Sequence, residues 1–151
     1  MQSKDIDAVR DLLNRYLQRF DLTQSFKKDE IDHLLLQKER PGAEQVVWTY
    51  VVEEPQTHKV TDVVSFYNIE STVIRSDKHT NIRAAYLYYY ASETAFAEKE
   101  QGLEARLQSL INDALILAKQ VNKTPFRFAL LVRRKNFVFP SVVEAPGLIT
   151  F

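Results

Sequence analysis

The chain has 151 residues, 45% of them apolar and 26% charged, with Lys plus Arg and Asp plus Glu both at 20. That length and balance predict one soluble domain with a real core. A net charge of zero excludes the polycationic surface of a nucleic-acid or acidic-membrane binder, and the lack of cysteine excludes a disulfide framework, a thiolate nucleophile and a cysteine-ligated zinc.

The start, "MQSKDIDAVRDLLNRY", carries charges every few residues and lacks the apolar run of a signal peptide. No stretch approaches the ~18 uninterrupted apolar residues of a membrane span, so the expectation is an intracellular, cytoplasmic protein without a transmembrane segment. Ile6, Val9, Leu12, Leu13, Tyr16, Leu17 and Phe20 recur every three or four positions and predict a helix from Asp5 to Phe20. Asp5 and Asp7 suit its positive N-terminal end. A second helix is predicted in "SFKKDEIDHLLLQKE", with Ser25 as its cap, Ile31, Leu34 and Leu35 as its stripe, and "RPG" at 40–42 ending it.

The period then changes from 3.6 to 2. "VVWTYVVEE" (46–54), a turn at "PQTH" and "KVTDVVSFYNI" (59–69) read as a β-hairpin. A polar stretch, "ESTVIRSDKHT", leads to a third strand at about Ile82 to Ala91. After an acidic connector, Leu103, Leu107, Leu110, Ile111, Ala114, Leu115 and Ala118 mark a third helix, with Glu98, Glu100 and Glu104 toward its start and Lys119 at its end. "PFRFALLV" (125–132) reads as a fourth strand reached by a helical crossover. The order ααβββαβ predicts an α/β domain with a mixed sheet. Residues 1–120 carry 15 basic and 19 acidic residues, whereas 121–151 carry five and one, with three of the five prolines.

Few residues offer chemistry. The three glycines, Gly42, Gly102 and Gly147, are isolated, so no loop can cradle a nucleotide or CoA phosphate by closely spaced backbone N–H groups. His33, His58 and His79 have no metal-ligand spacing and read as surface or structural histidines. Asp32 beside His33 and Asp77 near His79 are acid/base pairs in principle, but helix neighbours in sequence do not face each other. Ser65, Ser71 and Ser92 lack a G-x-S-x-G elbow. "RRK" at 133–135 reads as a solvated strand end. More informative is "AAYLYYYASE" (84–93): in an extended strand Tyr86, Tyr88 and Tyr90 share one face. Because a buried tyrosine hydroxyl needs a partner, that face reads either as padding under a helix or as a groove wall with apolar body and polar tips.

"VVWTYVVEEPQTHKVTDVVSFYNIESTVIRSDKHTNIRAAYLYYYASE" followed by "LINDALILAKQ" resembles the C-terminal half of the N-myristoyltransferases (glycylpeptide N-tetradecanoyltransferases), in a fungal style. The family has a "TYVVE" strand, a "TDFxSFY" strand, an "ST-I" loop, a "K-AAY-YY" strand and a "DALxLAK" helix in that order. "DIDAVRDLLNRYLQRFDL" and "FKKDEIDHLLL" are similar to its two preceding helices. The resemblance covers about residues 4–120, dividing the chain into a C-terminal-type domain at 1–120 and a divergent tail at 121–151.

The resemblance implies an acyl-CoA N-acyltransferase-like (GNAT-like) half domain with a mixed, mostly antiparallel sheet flanked by helices. It implies transfer of myristate from myristoyl-CoA, the co-substrate, to the N-terminal glycine of proteins. The other half holds the acyl donor, so no cofactor is expected in this one, which shapes the peptide groove. Tyr86, in "AAY", and Ser71, in "EST", match peptide-binding positions. No catalytic residue is assigned, because the family's C-terminal carboxylate, its base, does not align with "VVEAPGLITF"; no metal is implied. The "EINFLCVHKKLR"-type motif and the "KFGxGDG" loop also have no counterpart in these 151 residues. The chain alone is therefore expected to be incomplete, with weak or no activity, and a separate N-terminal half is an expected partner. The alternative is a catalytically inactive peptide- or protein-interaction domain derived from the family.

Overall fold

A computed structural model describes residues 1–36, 44–72, 81–97, 102–121 and 126–129. After a 3-10 turn at Ser3–Asp5, helix α1 spans Ile6–Leu17. Its stripe of Ile6, Val9, Leu12, Leu13 and Tyr16 is buried, and each such side chain contributes roughly 1.5–3 kcal/mol. The Asp5 carboxylate accepts from the Gln2 N–H at 2.6 Å, which fixes the entry to α1. The helix stops three residues short of the predicted end, and Phe20 lies exposed beyond it.

Helix α2 is shorter than predicted, Lys28–Leu34. Ser25 does not cap it. Lys27 is the N-cap, and its N–H donates to the Glu30 carboxylate at 2.7 Å, satisfying one of the donors that a helix start leaves open. Ile31 and Leu35 are buried and Leu34 half-buried; "RPG" lies outside the described residues. The segment between α1 and α2 is latched by Asn14, whose amide donates to the Phe26 carbonyl at 2.9 Å and accepts from the Phe26 N–H at 2.7 Å. Asn14→Ala is expected to lower stability by about 1–2 kcal/mol, since both Phe26 backbone groups lose their partner. Urea unfolding measures it, and an unchanged midpoint would show the latch to be idle.

Four strands form one sheet in the order β1-β2-β3-β4: β1 Val47–Glu53, β2 Val60–Thr72, β3 Asn81–Ser92 and β4 Phe126–Ala129. The first three are antiparallel neighbours, while β4 runs parallel to β3 after helix α3, Leu103–Val121. The predicted ααβββαβ order and mixed sheet are present. Strand β2 extends three residues beyond its predicted end, so Glu70, Ser71 and Thr72 belong to the ladder. His58, in the β1–β2 turn, takes a positive φ of 54°. Outside β1, residues 1–4 run along its free edge: the Met1 nitrogen donates to the Thr49 carbonyl at 3.1 Å, and Lys4 pairs with Glu53 at 2.7 Å.

The acidic connector contains a 3-10 turn, Glu93–Phe96, capped by the Ser92 hydroxyl accepting from the Thr94 N–H. Gly102, at φ 79°, leads into α3 in a conformation that side chains other than glycine's resist. Two apolar cores flank the sheet. Val63 and Ala91 join α1, α2, Leu103 and Leu107, while Val64, Phe66, Ala85 and Leu87 join Leu110, Ile111, Ala114 and Ala118 of α3. Beneath the start of α3 lies a charge the sequence reading did not single out. Asp62, 2% exposed, accepts from Ser92 at 2.6 Å, Thr61 at 2.9 Å and Arg106 Nε at 3.0 Å, and pairs a second time with the Arg106 guanidinium. Strands β2 and β3 and helix α3 are thereby tied at one point.

Candidate functional site

The tyrosine run does not follow simple alternation. Val64 pairs with Tyr90 and Phe66 with Leu87, so Ser65 faces both Tyr88 and Tyr89: β3 carries one extra residue, a β-bulge. The Ser65 hydroxyl fills the break. It donates to the Tyr89 carbonyl and accepts from the Tyr89 N–H, both at 2.9 Å. The bulge sets Tyr88 and Tyr89 side by side, ring centroids 4.4 Å apart. Tyr90 is moved to the other face, opposite Val64, where it reaches both cores and meets the Tyr16 ring edge-on at 5.8 Å. The predicted trio of Tyr86, Tyr88 and Tyr90 is thus replaced by Tyr86, Tyr88 and Tyr89.

A residue of β2 joins them. Tyr67 pairs with Tyr86 in register, stacks on its ring at 5.4 Å and 16°, and meets Tyr88 edge-on at 5.4 Å. These are favoured aromatic arrangements, each contributing about 0.5–1.5 kcal/mol beyond burial. By alternation Ile69 and Ser71 continue the face of Tyr67; both are exposed. The face therefore has a covered end and an open end. At the covered end Phe26 lies edge-on to Tyr89 at 5.0 Å and Gln24 accepts its hydroxyl at 3.1 Å; the open end runs through Tyr86 to Ser71. Burial, with Tyr88 alongside, pushes the Tyr89 hydroxyl above its ordinary value, so it stays a hydrogen-bond donor at neutral pH. On the opposite face of the same strands Arg83 pairs with Glu70 at 3.1 Å and Glu44 at 3.4 Å.

The two predicted site residues thus share one face of the sheet but not one spot. Ser71 is four residues beyond Tyr67, roughly 13 Å along the strand, and pairs with Ile82. Tyr67 and Ser65 were missed by the sequence reading. A second depression, about 520 Å³, is lined by Asp11, Asn14, Arg15, Gln18, Lys59 and Glu93. Its cations are paired with Glu93, at 2.5 Å from Arg15 and 3.4 Å from Lys59, and it carries no serine, threonine, cysteine or histidine. Among the described residues no three His, Cys, Asp or Glu side chains gather to hold a metal, and no helix is long and apolar enough to cross a membrane. His33 and His58 are exposed; His79, Asp77 and "RRK" lie outside the described residues.

The family model for the C-terminal domain of myristoyl-CoA:protein N-myristoyltransferase matches residues 1–139. The chain belongs to the N-myristoyltransferase family. A glycylpeptide N-tetradecanoyltransferase of Ajellomyces capsulatus is 69% identical over 120 residues, which is 80% of this chain and 23% of that protein. Its counterpart in Neurospora crassa is 51% identical over 140 residues, 91% of this chain and 24% of that one. The chain thus spans about a quarter of the length of these N-myristoyltransferases. The crystal structure of Saccharomyces cerevisiae N-myristoyltransferase with bound myristoyl-CoA superposes with a TM-score of 0.71 at 39% identity, covering 81% of this chain and 29% of that one. A GNAT family acetyltransferase of Staphylococcus aureus, 12% identical with a TM-score of 0.52, shares the fold alone. The expected GNAT-like architecture is therefore present in this N-myristoyltransferase domain.

Proposed function

We propose that this chain is the peptide-recognising part of a glycylpeptide N-tetradecanoyltransferase, and that its tyrosine face forms one wall of the groove for a protein beginning with glycine. The observation that carries this reading is the open end of that face. Tyr67 and Tyr86 are stacked and half-buried, with polar tips, and the exposed Ile69 and Ser71 continue them. Such a surface contributes apolar area while its hydroxyls orient a peptide. Myristoyl-CoA, the acyl donor of the reading, finds no glycine-rich loop here. The acceptor is the amine of the N-terminal glycine: its nitrogen attacks the thioester carbon, the C–S bond breaks, CoA leaves as the thiolate, and the proton the nitrogen gives up to a base passes on to that sulfur. Neither base nor donor site is assigned within residues 1–120, and 121–151 remain a divergent tail in this reading. By itself the chain transfers little myristate and works with a second half domain, in the cytoplasm.

Isothermal titration with a glycine-initiated octapeptide, against the same peptide acetylated at its N-terminus and with and without myristoyl-CoA, tests the reading. Saturable binding that requires the free amine is expected. Tyr86→Ala is expected to weaken it roughly tenfold or more by removing a stacked ring, and Ser71→Ala by roughly two- to tenfold, the range of one hydrogen bond. A folded chain that binds neither peptide would refute the groove, leaving a family-derived interaction domain with another partner.

A further inference from the structure

The Ser65 hydroxyl is fully buried, lies on β2 between Val64 and Phe66, and bonds both backbone polar groups of Tyr89 on the neighbouring strand. A bulge leaves its extra residue without ladder partners, and unmet backbone groups in a buried setting are costly. The Ser65 hydroxyl reaches both Tyr89 groups at the break between the Val64–Tyr90 and Phe66–Leu87 pairs, so the serine stands in for the missing rung. The consequence reaches the ligand face. With the bulge, Tyr88 and Tyr89 stand side by side and Tyr88 meets Tyr67 edge-on; with a regular ladder, one of the two would turn to the α3 side.

We propose that Ser65 is a positioning residue for peptide recognition, holding the β3 bulge that sets Tyr88 and Tyr89 beside Tyr67 and Tyr86 and so fixes the shape of the groove at its covered end. The peptide touches the rings, not the serine. Alanine at this position keeps the strand but leaves the Tyr89 backbone groups without their partner, and the tyrosine pair loses its fixed spacing. Threonine retains the hydroxyl. Cysteine keeps the shape of serine at a somewhat larger size but bonds weakly through sulfur. The inference rests on the groove reading above.

The test uses the 151-residue chain with labelled tyrosine rings followed by NMR, together with peptide titration. Ser65→Ala is expected to shift the Tyr88 and Tyr89 ring signals while far-UV circular dichroism stays native, and to weaken binding of the glycine-initiated octapeptide roughly five- to tenfold. Ser65→Thr is expected to restore both, and Ser65→Cys, which serves if the alanine variant does not fold, to show the same losses in smaller measure. A folded Ser65→Ala or Ser65→Cys chain with unmoved ring signals, or with binding within twofold of the parent, overturns the proposal. A parent chain that binds no peptide overturns the groove reading instead, and the ring signals then report the bulge alone.

Discussion

Arg106→Ala is expected to lower the unfolding free energy by about 3–5 kcal/mol, the cost of leaving one member of a buried ion pair without its partner. Asp62 is 2% exposed and sits where β2, β3 and α3 meet. Removing the guanidinium leaves a carboxylate in the core with only two hydroxyls to serve it. Since small domains are stable by only about 5–15 kcal/mol, the variant should melt far below the parent. Asp62→Leu combined with Arg106→Met should recover much of the loss, because an apolar pair of similar volume avoids the desolvation cost. Urea titration of all three chains checks this, and a loss below about 1 kcal/mol in Arg106→Ala would show the pair to be dispensable.

The same site gives the protein an acid limb. Burial works against ionisation of Asp62, but Arg106, Ser92 and Thr61 outweigh it and hold the carboxyl below its ordinary value. A folded-state value below the unfolded one means that the unfolded chain binds the proton more readily. The stabilisation is complete above the unfolded value, about 3.9 for an aspartate, and is lost as pH falls through the folded value. Melting followed downward from pH 5 should show this loss in the parent and a flatter limb in the Asp62→Leu, Arg106→Met chain. Asp7 and Glu53 are shifted in the same direction by Lys28 and Lys4, but these pairs stand in solvent and salt should screen them.

Phe66→Ala is expected to cost about 3–5 kcal/mol, the range for deleting a fully buried aromatic ring. Phe66 is 0% exposed at the centre of the α3-side core. It stacks on Trp48, its β1 partner, at 5.6 Å and 15°, and on Tyr50 at 6.1 Å and 24°. Trp48 is the only tryptophan, so its emission reports the cavity directly. The expected result is a red-shifted, weaker emission in the folded variant together with an earlier unfolding midpoint. Phe66→Leu should cost less, as it leaves less of the volume empty. Emission and midpoint both unchanged would show that the core collapses around the missing ring.

The strands and helices were readable because their apolar residues keep the periods of 2 and 3.6. "VWTYVVE" and the stripe from Ile6 to Tyr16 needed no tertiary information. Ser25 misled because a local cap preference cannot reveal that Glu30 already serves the helix start two residues later. Phe20 fits the stripe by spacing alone, but the helix ends before reaching it. The bulge was illegible in principle: it depends on Ser65, more than twenty positions away from Tyr89, and alternation applied along β3 alone puts Tyr90 on the wrong face. The buried carboxylate did leave a signal. An aspartate inside the otherwise uncharged "VTDVV" is a charge in a strand interior, which demands a partner, although only the fold identifies it as Arg106.

The segment lying along the outer edge of β1 bears on self-association. Residues 46–52, "VVWTYVV", form seven successive β-favouring positions with no charge and no proline, the composition that stacks into intermolecular sheets when an edge is free. With the Met1 nitrogen on the Thr49 carbonyl and Lys4 on Glu53, a neighbouring copy finds that strand's rim already occupied and flanked by a lysine. The first four residues thus cover part of the rim that such edge-to-edge pairing would use.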